Sequence, residues 1–146
     1  MTFWQLTIDC RDAARLADFW AEALGWSRTP PTSPDTPWWR HYQGRADENG
    51  AFYDRLFDPE GFRPPLWFQE VPEAKVGKNR LHVDVYATGR DESLSLDERI
   101  AIVDAKVTAL VSLGATVLHG ERSDDPADPY CFVTLADPEG NEFCVG

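Results

Sequence analysis

Basic residues are scarce in this chain: 14 Lys and Arg stand against 25 Asp and Glu, for a formal net charge of −11. Nucleic acid and anionic membranes are both recognised through basic surface, so neither is expected as a partner. Long apolar runs are also missing, since none approaches the roughly 18 residues that cross a bilayer. The opening MTFWQLTIDCRD has neither the basic segment nor the apolar segment of a secretory leader, and a cytoplasmic location is expected. Cysteine is limited to Cys10, Cys131 and Cys144, an odd number without CxxC spacing, each within an apolar strand-like pattern. Such cysteines read as reduced core or pocket thiols.

What the chain does have is enough apolar sequence, 42% of 146 residues, for one domain with a real core. One stretch carries more chemistry than any other. In residues 81–86, LHVDVY, a strand pattern puts His82, Asp84 and Tyr86 on one face and Leu81, Val83 and Val85 on the other. The apolar face must pack, and the polar face must meet water or a ligand. Residues 5–10, QLTIDC, have the same form, with Gln5, Thr7 and Asp9 opposite Leu6, Ile8 and Cys10.

Along the chain, a first strand is expected over residues 3–10. A helix follows, with Asp12 as N-cap, a stripe of Ala13, Leu16, Trp20, Ala23 and Leu24, and Gly25 as its stop. Residues 27–36 contain three prolines and read as a loop. Strands are expected at 38–42, rich in aromatics, at 51–57 and at 66–70, with Asp58-Pro59-Glu60-Gly61 as a turn. Residues 71–79 have no periodicity and read as a linker between halves. A strand over 80–87 leads to a helix capped by Ser95 and Glu98, with Ile100, Val103, Val107, Leu110 and Val111 buried and Gly114 as stop. Strands at 115–118, 131–136 and 141–145 complete the chain, the last after a second DPEG turn at Asp137. Between the first two of these strands, GERSDDPADP reads as a solvated loop.

The order strand, helix, three strands thus occurs twice. Asp9 corresponds to Asp84, Leu24-Gly25 to Leu113-Gly114, and the DPEG turn at Asp58 to that at Asp137. Three matches in one order are far stronger than a single shared turn. The expectation is an α+β domain spanning 1–146, with module one at about 1–70, the linker at 71–79 and module two at about 80–146. Each helix should cover one sheet face, leaving the other faces of eight mixed strands to curve around a cavity.

The segments DCRDAARLADFWAEALGW, LWFQEVPEAKVGKNRLHVDV, LGATV and LADPEGNEFCVG together resemble the vicinal oxygen chelate superfamily of glyoxalases, extradiol dioxygenases and bleomycin-resistance proteins. The resemblance implies two βαβββ modules forming a cupped sheet, with a metal site built from the first and last strands of each. His82 stands at a family histidine position. Gln5 or Thr7 stands at its counterpart in the first module. The first module's glutamate position falls on Phe68 or Gln69, and the last on Cys144, with Glu142 on the same face two residues earlier. Because the usual carboxylates are missing, no cofactor is expected beyond a weakly bound divalent metal.

The residues expected around a ligand are therefore Gln5, Gln69, His82, Asp84, Glu142 and Cys144. Ordinary structural roles stand beside these: His82 as a histidine bonded to Asp84, Asp9 and Asp84 as carboxylates paired with Arg80, and Cys144 as a packed thiol. The aromatics Trp38, Trp39, Tyr42, Phe52, Tyr53, Trp67 and Phe68 should divide between core and cavity. Function is expected to be the binding of a small organic molecule in the cupped sheet. The alternative is a divalent-metal-dependent lyase or isomerase of glyoxalase type acting on vicinal oxygens. A homodimer is expected from the aromatic content and from the resemblance.

Overall fold

The structure is a computed structural model that describes residues 4–32, 37–42, 44–127 and 129–146, so Phe3 of the first expected strand and part of the proline-rich loop lie outside the described residues. It separates into two compact units, Met1–Ala74 and Lys75–Gly146, with the boundary inside the segment expected to be a linker.

In the first unit, β1 (Leu6–Cys10) is followed by α1 (Ala13–Leu24), α2 (Pro37–Tyr42), β2 (Arg55–Leu56) and β3 (Leu66–Glu70). The sheet order is β1-β3-β2, with β1 parallel and β2 antiparallel to β3. The Asp12 carboxylate caps α1 by accepting from the Arg15 N–H at 2.9 Å, and Gly25 ends it in the left-handed conformation at φ 68°. Ala13, Leu16, Trp20 and Ala23 are buried as the spacing predicts, and Ala17 and Phe19 widen the stripe. They pack on the face that carries the buried Leu56, Leu66 and Phe68.

The aromatic strand expected at 38–42 is instead the helix α2. Pro37 occupies its first position, where φ is already set and the missing N–H has no helical partner to lose. Aromatic enrichment favours a strand only when a pleated neighbour is available. Tyr42 finds an aromatic pocket instead: it is buried, with its ring 5.0 Å from Phe57 and 5.4 Å from Phe52. The side chain of Trp38 lies outside the described residues. The strand expected over 51–57 contracts to Arg55–Leu56, because Arg28 captures the preceding segment. Its carbonyl accepts from the Phe52 N–H at 3.0 Å, and its guanidinium donates to the Tyr53 carbonyl at 2.7 Å and to Asp18 at 2.6 Å.

The second unit has β4 (Asp84–Val85), α3 (Leu96–Ser112), β5 (Thr116–Ser123), β6 (Tyr130–Ala136) and β7 (Glu142–Val145). In its sheet, ordered β4-β7-β6-β5, β4 runs parallel to β7, and β6 runs antiparallel to both neighbours. This is a complete βαβββ module. Among the described residues the two sheets together hold seven strands, one fewer than expected, since α2 replaces a strand of the first module.

Both halves of the Ser95 capping box form: Ser95 Oγ accepts from the Glu98 N–H at 3.3 Å, and the Glu98 carboxylate accepts from the Ser95 N–H at 2.8 Å. Val103 and Leu110 are buried beneath α3, whereas Val111, expected in the stripe, is 44% exposed at the edge of that face. Partner pairs Leu135–Phe143 and Val133–Val145 lie on the helix-covered face, where Leu135, Phe143 and Val145 are fully buried. Both DPEG turns are built alike. Buried Asp58 accepts from the N–H groups of Glu60, Phe62 and Arg63, and buried Asp137 accepts from those of Glu139 and Asn141. A carboxylate that satisfies several turn amides accounts for the recurrence of this motif.

Two strand limits differ from expectation. The strand expected over 80–87 is only Asp84–Val85, since β7 offers a short partner, and Leu81, expected to pack, is 81% exposed. The strand expected to stop at Leu118 runs on to Ser123, taking in residues expected to be loop, after an irregularity between Val117 and His119.

Candidate functional site

The second unit covers one sheet face with α3 and leaves the other open. Strand alternation puts Glu142 and Cys144 of β7 on the open face, with Thr134 of β6 opposite Cys144 and Asp84 of β4 in register with it. His82 lies just before β4. Its Nε2 is 3.3 Å from Asp84 Oδ1, and one donor atom each from His82, Asp84 and Cys144 fall within 4.8 Å of one another. The Thr134 hydroxyl and the Cys144 thiol are 3.5 Å apart.

Around this cluster is a cavity of about 400 Å³, lined by Lys78, Asn79, His82, Leu118, His119, Thr134, Glu142, Phe143 and Cys144. Four of the six residues expected from the sequence, His82, Asp84, Glu142 and Cys144, thus gather on one face of one unit. The other two lie in the first unit. The Gln5 side-chain carbonyl accepts from the Tyr42 hydroxyl, and Gln69 pairs with Asp9 across β3 and β1. Phe68, the alternative to Gln69, is fully buried on the face packed by α1 and is excluded as a ligand position.

Glu142 is engaged differently from a free carboxylate. Lys75 Nζ lies 3.0 Å from its Oε2, and the Asn79 N–H donates to the same oxygen at 3.2 Å. The Lys75 ammonium, then the backbone donors, hold its pKa below the ordinary value of 4.5. The folded-state value is the lower one, so the contribution of Glu142 to stability is complete above about 4.5 and is lost as pH falls through the folded value. Glu142→Gln is therefore expected to flatten the acid limb of the stability profile below pH 4.5 and to leave its slope near neutrality unchanged. Urea unfolding of both proteins across that range checks this, and an unchanged acid limb would refute the Lys75 clamp.

His119, Thr134, Lys75 and Lys78 were not picked out from the sequence. The strand expected to end at Leu118 hid His119, whose alternation with Glu121 and Ser123 was the available signal. Thr134 was legible from alternation within CFVTLA. The two lysines sit in the aperiodic linker, where no pattern marks them.

The aromatic cluster of the first unit also has an unexpected centre. The Arg55 guanidinium lies 4.8 Å from the Trp67 ring centroid, 5.5 Å from Tyr42 and 5.7 Å from Phe52, and pairs with Asp54 at 2.6 Å. Trp67 Nε1 donates to the same Asp54 at 3.1 Å. These rings therefore cage a cation of their own chain.

The fit of a divalent ion to His82, Asp84 and Cys144 can be judged from distances. Bonds of about 2.0–2.3 Å to a tetrahedral ion separate its donors by about 3.3–3.8 Å. The His82–Asp84 separation satisfies this, and the 4.8 Å limit of the cluster requires a modest contraction. The imidazole, carboxylate and thiol suit a borderline ion such as zinc, but the side chains of His82 and Asp84 are 55% and 48% exposed. The set fits an ion loosely.

A sheet with one helix-covered face and one open polar face, in strand order first-last-third-second, defines the vicinal oxygen chelate class. The chain matches the family model of the glyoxalase-like domain over residues 5–146 and belongs to that family. No curated protein matches it by sequence. Similar solved structures include a glyoxalase/bleomycin resistance protein/dioxygenase family enzyme from Burkholderia phytofirmans PsJN, at 17% identity and TM-score 0.55, covering 97% of this chain and 94% of that one. A possible glyoxalase from Bacillus cereus is 18% identical with TM-score 0.54, covering 99% and 97%. A point mutant of the fosfomycin resistance protein FosX from Listeria monocytogenes, complexed with Mn(II) and 1S,2S-dihydroxypropylphosphonic acid, is 9% identical with TM-score 0.57, covering 99% and 89%. At these identities the likeness is one of fold. No helix among the described residues is long and apolar enough to cross a membrane.

Proposed function

We propose that the second unit binds a small organic molecule in the cavity around His82, and that it does so without a tightly held metal. The observation that carries this reading is the lining of the cavity. Lys78, His82, His119, Asn79 and Thr134 supply hydrogen-bond donors, while the half-exposed Leu118 supplies apolar wall. Such a lining suits a compact molecule bearing oxygen acceptors. The FosX relative, which holds a small dihydroxylated phosphonic acid, supports the size and polarity of that class. Amide NMR spectra titrated with a panel of 2-oxo acids, vicinal diols and hydroxy acids test the proposal. At least one compound is expected to shift the amides of Thr134 and Cys144, and His82→Ala to weaken it at least about tenfold, the worth of one good charge-assisted contact. A panel that leaves those amides unmoved, or a ligand indifferent to His82→Ala, overturns it.

A second reading is favoured by the proximity of the His82, Asp84 and Cys144 donors: a divalent-metal-dependent lyase or isomerase of glyoxalase type. In it these three residues hold an ion that polarises vicinal oxygens of a substrate. In this reading Glu142, which Lys75 pairs with at 3.0 Å, would be the group that moves a proton.

A further inference from the structure

The second unit has another cavity, of about 370 Å³, that shares no lining residue with the one around His82. It lies where the loop after β4, the first turn of α3 and the start of β6 meet. Alternation along β6 puts Tyr130 and Phe132 on the same face, with rings nearly parallel and 6.0 Å apart. From the loop, the Arg90 guanidinium lies over the Tyr86 ring at 4.6 Å. Arg90 is also a non-glycine residue held at φ 58°, a left-handed conformation that its long side chain does nothing to favour.

The third component is Arg99. Its Nη1 makes a long 3.4 Å bond to the Pro129 carbonyl, and its Nε is buried without a hydrogen-bond partner. Among the described residues, no ion pair joins Arg90 or Arg99 to a carboxylate, although acids outnumber bases 25 to 14 in the chain. The nearby Asp91 is turned onto the N–H and hydroxyl of Ser93, at 2.9 and 2.7 Å.

The geometry points to a second binding site, for a planar aromatic monocarboxylate. Its carboxylate pairs with the guanidinium of Arg99 that lines the cavity, and its ring lies among Tyr86, Tyr130 and Phe132. Planarity follows from the stacked rings, and the acid from the unpaired guanidinium. A single charge follows from Asp91 and Glu92, which also line the cavity and repel a dianion such as phosphate. This inference is independent of the ligand proposed for the His82 cavity, because the two linings have no residue in common.

The test uses the intact chain, 2-naphthoate as probe and its neutral counterpart 2-naphthamide as control, by calorimetry and amide NMR. The acid is expected to bind at least tenfold more tightly than the amide and to shift Cys131, Phe132 and Gly146. Arg99→Lys, which keeps the charge and loses the planar fork, is expected to weaken the acid at least tenfold. Equal affinity of acid and amide, absence of binding up to about 1 mM, shifts confined to Thr134 and Cys144, or an Arg99→Lys protein that binds like the parent would each overturn the assignment. Should Arg99→Lys fail to fold, the comparison of acid with amide on the unmodified chain decides.

Discussion

Phe143→Ala is expected to destabilise the second unit by roughly 3–5 kcal/mol, the usual cost of emptying a buried phenylalanine site. Cys144→Ala, one residue further along the same strand, should cost no more than about 1 kcal/mol. The contrast follows from the pleat. Phe143 is fully buried opposite Leu135 on the face that α3 covers, where removing a ring leaves a void in the core of the unit. Cys144 points to the open face, where the sulfur meets the Thr134 hydroxyl and the cavity. The choice of probe matters, because all six tryptophans, at positions 4, 20, 26, 38, 39 and 67, lie in the first unit. Tryptophan fluorescence therefore reports on the first unit, and protection of the Leu135 and Val145 amides from exchange reports on the second. Loss of that protection in Phe143→Ala, with little change in Cys144→Ala, is the expected result. Comparable losses in both variants would mean that the two faces of β7 are not divided as described.

The division of faces was legible because period-two alternation is a property of the strand backbone and needs no tertiary information. In the segment NEFCV, Glu142 and Cys144 oppose Phe143 and Val145 whatever lies around them. The Ser95–Glu98 box and the Asp58 and Asp137 turns were legible for a similar reason, since each closes its own hydrogen bonds within a few residues. What failed was whatever depends on a partner. Leu81 has the right period but no neighbouring strand long enough to hold it, so it is exposed. WWRHY has strand-like composition, yet Pro37 and the pocket formed by Phe52 and Phe57 make it helical. His119 was obscured by the strand irregularity beside it, which changes the face on which every later side chain falls. Lys75 could not be assigned to Glu142 at all, because a contact across a turnless segment carries no pattern.

Untagged protein is expected to carry well under one divalent ion per chain, and zinc or nickel titrated into it to bind in the micromolar range or weaker, about −8 kcal/mol. Complete four-ligand zinc sites gain about 10–16 kcal/mol, and three features of this cluster lower that figure. Among the described residues the cluster has three donors within 4.8 Å of one another, from His82, Asp84 and Cys144, and they must contract to reach bonding distance. Glu142, two residues before Cys144 on the same face, is occupied by Lys75 and Asn79, so recruiting it means breaking an ion pair at 3.0 Å. The carboxylate at 3.3 Å from His82 is Asp84 itself, which can serve as a ligand or orient the imidazole but not both at once. Elemental analysis followed by calorimetry, on the parent and on His82→Ala, measures all of this. An ion near one per chain that disappears in His82→Ala would contradict the expectation. It would mean that the cluster closes around metal despite its exposure, and the lyase or isomerase reading would then take precedence over simple binding. Weak binding that persists in His82→Ala would instead assign the residual affinity to the acidic surface, since a net charge of −11 concentrates divalent cations without any built site.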